Sequence, residues 1–163
     1  MNTRAFAIAG PPASGKSTLL RVIPAIIKNS IAIDLELFES LVERRSVLDS
    51  ILRRTRHGIL FFGVADVPFA EFAEKGVEVI GLYTNDEGRY LERLKERNQA
   101  GGKLDKDQSE HFCGCIKQLD FLRSKGQLKL PIDIFDARFE GNPVATAEYI
   151  AEQLSLPIYA VRG

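Results

Sequence analysis

The sequence has no excess of charge of either sign, which removes one common basis for binding polyanions. Lys and Arg total 22, Asp and Glu also total 22, and the formal net charge is zero. No overall electrostatic field therefore attracts nucleic acid or an anionic membrane, so binding of a polyanion would have to depend on a local basic patch. No apolar run approaches the length that spans a bilayer, and we expect no membrane partner.

Cysteine is also scarce. Cys113 and Cys115 are separated by one residue in a segment of helical pattern, where they point to different faces. Neither a CxxC motif nor a Cys/His zinc pattern is present. We interpret both as free thiols in a reducing compartment, the cytoplasm. The apolar segment that begins at Ala5 also leaves too few preceding residues for a signal peptide, which agrees with this interpretation.

The chain does contain a phosphate-loop motif, G-x-x-x-x-G-K-[ST], near its beginning. Its residues are Gly10, Pro11, Pro12, Ala13, Ser14, Gly15, Lys16, Ser17 and Thr18. Apolar residues 5–9 before it predict a buried strand, and helical recurrence over residues 18–28 predicts a helix after it. This strand–loop–helix context separates a true phosphate loop from a chance match.

Each residue type in the motif has a chemical reason. The two glycines let successive backbone N–H groups point at phosphate oxygens, and the helix N-terminus adds partial positive charge. Lys16 would contact the β- and γ-phosphates, while the Ser17 hydroxyl would complete the coordination of Mg²⁺. The sequence therefore predicts binding of a nucleoside triphosphate, with Mg²⁺ as cofactor.

Strand-like and helix-like segments alternate along the rest of the chain. Strands are predicted at residues 30–34, 59–64, 77–83 and 132–135, and helices at 35–56, after Pro68, at 86–98, at 107–125 and from Pro143. With the first strand, this makes five strands in an open α/β sandwich with a mostly parallel sheet. We expect one domain over residues 1–163, with ligands at the carboxyl ends of the strands.

Several classes of phosphate-loop protein are disfavoured by missing motifs. The N-K-x-D signature of guanine recognition is absent, and no hydrophobic strand ends in Asp-Glu, as it does in hydrolytic ATPases. The chain is also too short for an AAA-type motor with a helical lid domain. The remaining features favour phosphoryl transfer to a small acceptor.

Two carboxylates follow the second predicted strand. Asp34 and Glu36 lie at the edge of the sheet that faces the phosphate loop. A carboxylate there can take a proton from an acceptor hydroxyl, bind the acceptor, or hold Mg²⁺. The alternative is that Asp34 caps the next helix and Glu36 is a favourable charge in its first turn.

A stripe of arginines follows the fourth predicted strand. Arg89, Arg93 and Arg97 are spaced by four residues and so share one helix face. The stripe ends at a Gly-containing basic connector, residues 99–106. A mobile basic segment beside a triphosphate would neutralise developing charge and exclude water. A solvated face paired with Glu92 and Glu96 is the alternative.

Other candidates lie where an acceptor or a base would bind. Arg53 belongs to a cluster of basic residues between Arg44 and His57 that would clamp a phosphate-bearing acceptor, or would simply be solvated. Asp66 would bind acceptor or metal, or merely end the third strand. The Asp136-Ala137 turn after the fifth strand could offer backbone groups to a base.

Together these residues resemble the nucleoside-monophosphate-kinase-like branch of phosphate-loop kinases, which includes adenylate, cytidylate, shikimate, gluconate and polynucleotide kinases. The resemblance implies a three-layer α/β/α fold, strand order 2-3-1-4-5 and a short lid at about residues 98–107. It gives Arg93 and Arg97 the roles of lid arginines that contact ATP and the transferred group. It makes Asp34 a base or acceptor ligand, and Asp136-Ala137 the adenine-side loop.

The resemblance has departures that leave the acceptor open. Adenylate kinases have a third loop glycine where this chain has Ala13, and residues 63–69 fit no acceptor-binding pattern of the branch. The first hypothesis is an ATP-dependent kinase of a nucleoside, nucleotide or other hydroxyl metabolite, as monomer or homodimer. A kinase of nucleic-acid 5′ ends or modified bases, and a non-catalytic nucleotide-binding switch, are the alternatives.

Overall fold

A computed structural model describes residues 3–11, 13–56, 58–64, 67–98 and 106–159; for residues 97–98 and 106–109 it describes the backbone. The strands are β1 Arg4–Ala9, β2 Ser30–Asp34, β3 Ile59–Val64, β4 Glu78–Tyr83 and β5 Leu128–Asp133. The helices are α1 Lys16–Ile26, α2 Leu41–Arg54, α3 Phe69–Glu74, α4 Glu87–Asn98, α5 Lys106–Ser124 and α6 Pro143–Gln153, with a short 3₁₀ helix at Leu35–Leu37.

The five strands form one parallel sheet in the order β2-β3-β1-β4-β5. This confirms the predicted fold and strand order. The central strand β1 pairs with β3 on one side and β4 on the other, and every residue of β3 is buried. A strand covered on both faces needs a continuous apolar sequence, which explains why this strand was recognisable from its residues alone.

Side chains alternate between the two faces of the sheet and build two cores. Phe6 and Ile8 of β1 pack with residues of α1, α4 and α6 on one face. Ala7 and Ala9 pack on the other face with residues of α2, α3 and α5. These two cores make the three layers, because each helix buries its apolar stripe against the sheet. Within the part of the chain that the structure describes, every helix is too short or too polar to cross a bilayer.

The predicted helix over residues 35–56 is interrupted. A 3₁₀ helix at Leu35–Leu37 comes first, and α2 begins only after Ser40. The Ser40 Oγ accepts a hydrogen bond from the Glu43 backbone N–H at 3.1 Å. This serine satisfies one of the free N–H groups of a new helix start. The Ser40-x-x-Glu43 spacing is a capping signature that the apolar periodicity concealed.

The fifth strand begins earlier than the pattern predicted. The structure has β5 at Leu128–Asp133, whereas apolar residues predicted it at 132–135. Pro131 lies inside the strand, which made the segment look unlike a strand. The proline is tolerated because β5 is at the edge of the sheet, where one side of its backbone has no neighbouring strand.

Replacing a glycine of the sheet and a glycine of α5 with alanine should change the free energy of unfolding in opposite directions. A Cβ on Gly63 in β3 would collide with the Leu20 side chain, whereas one on Gly114 in α5 would meet open space. We expect Gly63→Ala to lower the free energy of unfolding by roughly 1–3 kcal/mol through overpacking. Gly114→Ala should raise it by roughly 0.5–1 kcal/mol, because alanine favours the helix.

Urea unfolding of the two variants and the wild type measures this difference. Equal stability of Gly63→Ala and the wild type would show that the Leu20 side chain can move away from β3 at little cost in free energy.

Candidate active site

The phosphate loop joins β1 to α1 at the carboxyl edge of the sheet. Ala13 and Gly15 have left-handed backbone conformations, with φ of 62° and 94°, which turn the chain into the helix that begins at Lys16. Gly10 permits a close approach, since an added Cβ would lie 2.7 Å from the Leu82 carbonyl oxygen of β4. Pro12 lies outside the described residues. The loop is therefore held against the centre of the sheet.

Lys16 is buried beneath this loop with only 5% of its surface exposed. Its Nζ donates to the carbonyl oxygens of Gly10 at 2.7 Å and Pro11 at 3.0 Å. It also forms an ion pair with Glu36 Oε1 at 3.3 Å. Burial lowers the pKa of Lys16, and the neighbouring Glu36 carboxylate partly opposes this effect. The ammonium group is thus held by two carbonyl oxygens of the loop and one carboxylate oxygen.

Ser17 and Asp34 meet across the gap between α1 and β2. The Ser17 Oγ donates to Asp34 Oδ2 at 2.8 Å, and the Glu36 N–H donates to Asp34 Oδ1 at 3.0 Å. Asp34 therefore caps the 3₁₀ helix, which is one of the two interpretations from the sequence, and its other carboxylate oxygen contacts the phosphate loop. A hydroxyl and a carboxylate are hard oxygen ligands of the kind that Mg²⁺ binds.

This pair fits a Mg²⁺ ion that is shared with a bound nucleotide. No group of three or more His, Cys, Asp or Glu side chains among the described residues is arranged to hold a metal. Magnesium in phosphoryl-transfer sites keeps several waters and uses one or two protein ligands together with substrate phosphates. A serine hydroxyl and one carboxylate therefore fit a Mg²⁺ ion that takes its other ligands from nucleotide phosphates and water.

A cavity of about 400 Å³ extends from the phosphate loop toward α6. Loop residues Ala13, Ser14, Gly15, Lys16, Ser17 and Thr18 form one wall. The opposite wall contains Leu82, Ile132, Ile134, Phe139, Asn142 and Thr146. The cavity thus joins a wall of backbone N–H groups to an apolar wall, which suits a phosphate-bearing ligand with a flat apolar part.

The two polar side chains of the far wall are already engaged in capping α6. Asn142 Oδ1 accepts from the Ala145 N–H at 3.1 Å, and Thr146 Oγ1 donates to the Asn142 carbonyl at 3.0 Å. The apolar wall itself was not identified from the sequence. Phe139 offered a signal, as a large aromatic residue within an otherwise polar turn before the Asn142-Pro143 helix start.

The two described arginine side chains of the stripe have different surroundings. The Arg89 guanidinium lies 4.4 Å from the centroid of the Phe135 ring and pairs with Glu140 at 2.7 Å. Arg93 lies 5.0 Å from the same centroid and lines the cavity. Among the described residues, no carboxylate pairs with Arg93. The side chain of Arg97 and residues 99–105 of the predicted lid lie outside the described residues.

The Asp136-Ala137 turn is close to the cavity but not part of its lining. Asp136 accepts hydrogen bonds from the Arg138 N–H and guanidinium, both at 2.9 Å. These contacts lower the pKa of Asp136 to about 2, because the guanidinium and N–H stabilise the carboxylate. The turn therefore closes on itself, and Phe139 and Gly141, further along, reach the cavity wall.

Two arginines of the basic cluster, both near the start of α2, hold neighbouring elements together. Arg44 Nε donates to the carbonyls of Leu35 at 3.1 Å and Phe38 at 2.9 Å. Arg45 pairs with Glu71 of α3, and this contact raises the pKa of Arg45. Arg53 is exposed, and its Nε donates to a backbone carbonyl of its own helix at 3.3 Å. His57 and Asp66 lie outside the described residues.

Known proteins are similar to this chain in structure but not detectably in sequence. No protein-family model matches the chain, and no curated protein matches its sequence. The Deinococcus radiodurans tunicamycin resistance protein matches at a TM-score of 0.61 and 17% identity, over 98% of this chain and 100% of that one. An Acinetobacter baumannii shikimate kinase in complex with shikimate matches at 0.57 and 16%, over 94% and 93%.

A Sinorhizobium meliloti gluconokinase is also similar, with a TM-score of 0.53 and 15% identity over 93% of this chain and 95% of that one. Shikimate and gluconate kinases are both members of the branch that the sequence resembles. At such low identity the likeness concerns the fold. The chain has the fold of phosphate-loop kinases of the nucleoside-monophosphate-kinase-like branch, as the resemblance predicted.

Proposed function

We propose that the protein is an ATP-dependent kinase that transfers the γ-phosphoryl group to a hydroxyl of a small acceptor. One observation carries the proposal: Lys16, Ser17 and Asp34 converge at the carboxyl edge of the sheet beside a cavity of about 400 Å³. This is the arrangement of groups that phosphoryl transfer requires. Two of the similar solved structures are kinases by name, which supports the same class of reaction.

The nucleotide would bind with its phosphates at the loop and its base in the cavity. Backbone N–H groups of the loop residues from Ala13 to Thr18, at the N-terminus of α1, would hold the phosphate oxygens. Ile132, Ile134 and Phe139 offer apolar surface for the base. Asp136 and Ala137 would then act by shaping the turn that carries Phe139, because Asp136 is occupied by Arg138.

Ser17 would hold the Mg²⁺ ion through its hydroxyl oxygen. Asp34, whose carboxylate faces that hydroxyl, would hold the ion through a bound water and so remain able to take a proton. When bound, the ion neutralises charge on the β- and γ-phosphates. It also holds the phosphates in the orientation that in-line transfer needs.

The chemistry that the residues would perform is a single displacement. The acceptor oxygen forms a bond to the γ-phosphorus while the bond to the bridging β-phosphate oxygen breaks, leaving ADP. The acceptor proton passes to the Asp34 carboxylate and then to solvent. Lys16 and Arg93, with Arg97 as the second proposed lid arginine, stabilise the charge on the transferred group. Glu36 binds the acceptor, and Asp66 and Arg53 are further proposed contacts.

The charge environment favours a small acceptor over a nucleic-acid end. Arg44 is bound to the 3₁₀ helix and Arg45 to Glu71, so neither is arranged as a phosphate clamp. The chain also has no net positive charge, and strong binding of nucleic acid depends on neutralising several phosphates. We therefore propose a nucleoside, nucleotide or other hydroxyl metabolite as acceptor.

The direct test is release of ADP from Mg-ATP across a panel of acceptors. The panel contains nucleosides, nucleoside monophosphates, shikimate- and gluconate-like metabolites, and 5′-hydroxyl or base-modified oligonucleotides. Turnover raised well above the ATP-only rate by one acceptor establishes the reaction and its substrate class together. Failure of Mg-ATP to bind would overturn the proposal.

Lys16→Met should remove nucleotide binding while the fold remains. Mg-ATP at a hundredfold excess over its dissociation constant should stabilise the wild type by roughly 2.7 kcal/mol. The variant should show little of this stabilisation, because the contact to the β- and γ-phosphates is lost. Thermal unfolding with and without Mg-ATP measures it. Lys117→Met, at an exposed position of α5, is the matched control; equal stabilisation of both variants would contradict the assignment of the loop.

Asp34→Asn should lower turnover far more than nucleotide affinity. The amide keeps the size of the side chain and the acceptor for the Glu36 N–H, but it cannot take the acceptor proton. We expect kcat to fall roughly a hundredfold or more, with a small change in the Kd of Mg-ATP. Asp120→Asn, at an exposed position of α5, controls for charge. Similar losses in kcat and affinity would favour a role in metal binding or capping instead.

Arg93→Ala and Arg89→Ala should have different effects although the two arginines stack on the same ring. Arg93 lines the cavity, so its loss should reduce kcat roughly a hundredfold. Arg89 pairs with Glu140 on the surface, so its loss should lower stability by at most about 1 kcal/mol. Steady-state kinetics and urea unfolding compare them. A larger kinetic effect of Arg89→Ala would reverse the assigned roles.

A further inference from the structure

Three oxygen atoms of the protein surround the ammonium group of Lys16. An ammonium group has three N–H donors. Two point to the carbonyls of Gly10 and Pro11, at 2.7 and 3.0 Å. The third faces Glu36 Oε1 at 3.3 Å. Lys16 can therefore contact a phosphate oxygen only if it gives up one of these three partners.

Glu36 is the partner that is best placed to leave. The two carbonyls belong to the loop backbone, and the residues that carry them are buried. The Glu36 side chain is 32% exposed, whereas its backbone is fixed by the 3.0 Å hydrogen bond to Asp34 Oδ1. The carboxylate can therefore rotate away without any change in the 3₁₀ helix. Its departure would also reduce repulsion of an incoming polyphosphate.

We propose that Glu36 is a positioning residue that holds Lys16 through their ion pair, and that Lys16 exchanges the Glu36 carboxylate for phosphate oxygens when a nucleotide binds. The inference rests on the proposed function. Nucleotide binding then frees a carboxylate on the acceptor side of the site, next to Asp34. Nucleotide binding would thereby strengthen acceptor binding, and acceptor binding would strengthen nucleotide binding by the same factor, so that one residue couples the two ligands.

Affinity for nucleotide in the absence of acceptor tests the exchange. Glu36→Gln is nearly isosteric but removes the charge that competes for Lys16. Its Kd for Mg-AMP-PNP, measured by calorimetry, should be lower than that of the wild type by roughly three- to tenfold. Glu39→Gln, an exposed carboxylate on the same segment, should change the Kd less than twofold. Glu36→Ala should also tighten binding if Glu36→Gln acts through the lost charge.

Accessibility of the carboxylate provides a second measurement. Carbodiimide coupling of wild-type carboxylates to an amine, followed by peptide mass spectrometry, should show more labelling of Glu36 with Mg-AMP-PNP than without it. Glu39 is the internal reference.

The outcomes separate this inference from the proposed function. Unchanged or weaker nucleotide binding by both Glu36 variants, or no gain in labelling of Glu36 relative to Glu39, would overturn the exchange while leaving the kinase proposal intact. Absence of nucleotide binding in the wild type and in every variant would overturn the kinase proposal itself.

Discussion

Parallel pairing of β1 with both β3 and β4 is the constraint on which the rest of the site depends. The register aligns Ala9 with Val64 and Gly81, and Asp34 with Gly63, so these strands reach the same edge of the sheet together. The phosphate loop leaves β1 at this edge, and Asp34 ends β2 there. A shift in register would separate the loop from Asp34, because β3 lies between β1 and β2 and sets their relative positions in the sheet.

The buried ammonium group of Lys16 beneath the loop is the second feature that determines the electrostatics of the site. Lys16 is placed in an environment that disfavours its charge, which is tolerated because three oxygen atoms surround it. A polyphosphate would offer stronger partners than those carbonyls and the half-exposed Glu36 carboxylate. The charge of Lys16 is thus balanced by oxygen atoms of the protein itself.

Much of the fold followed from the sequence because the signals were local. The buried runs of β1 and β3, the loop between β1 and α1, and the Asn142-Pro143 start of α6 each depend on neighbouring residues. The errors occurred where a second local signal competed. Ser40 starts a new helix within a continuous helical periodicity. Pro131 made its segment look unlike a strand, and the strand accommodates this proline because it lies at the edge of the sheet.

The sequence by itself determined the phosphate-loop motif and the chemistry that we propose for its residues, since both depend on residue types at fixed spacing along a few positions. Tertiary structure decided which charged groups remain available to a ligand. Spacing alone placed the three arginines of the stripe on one helix face, yet Glu140, distant in sequence, engages Arg89, while Arg93 lines the cavity. Glu71 likewise engages Arg45. Ion-pair partners that belong to separate elements cannot be recognised from local spacing. These partners decide which arginines are paired within the fold and which are left to face the cavity.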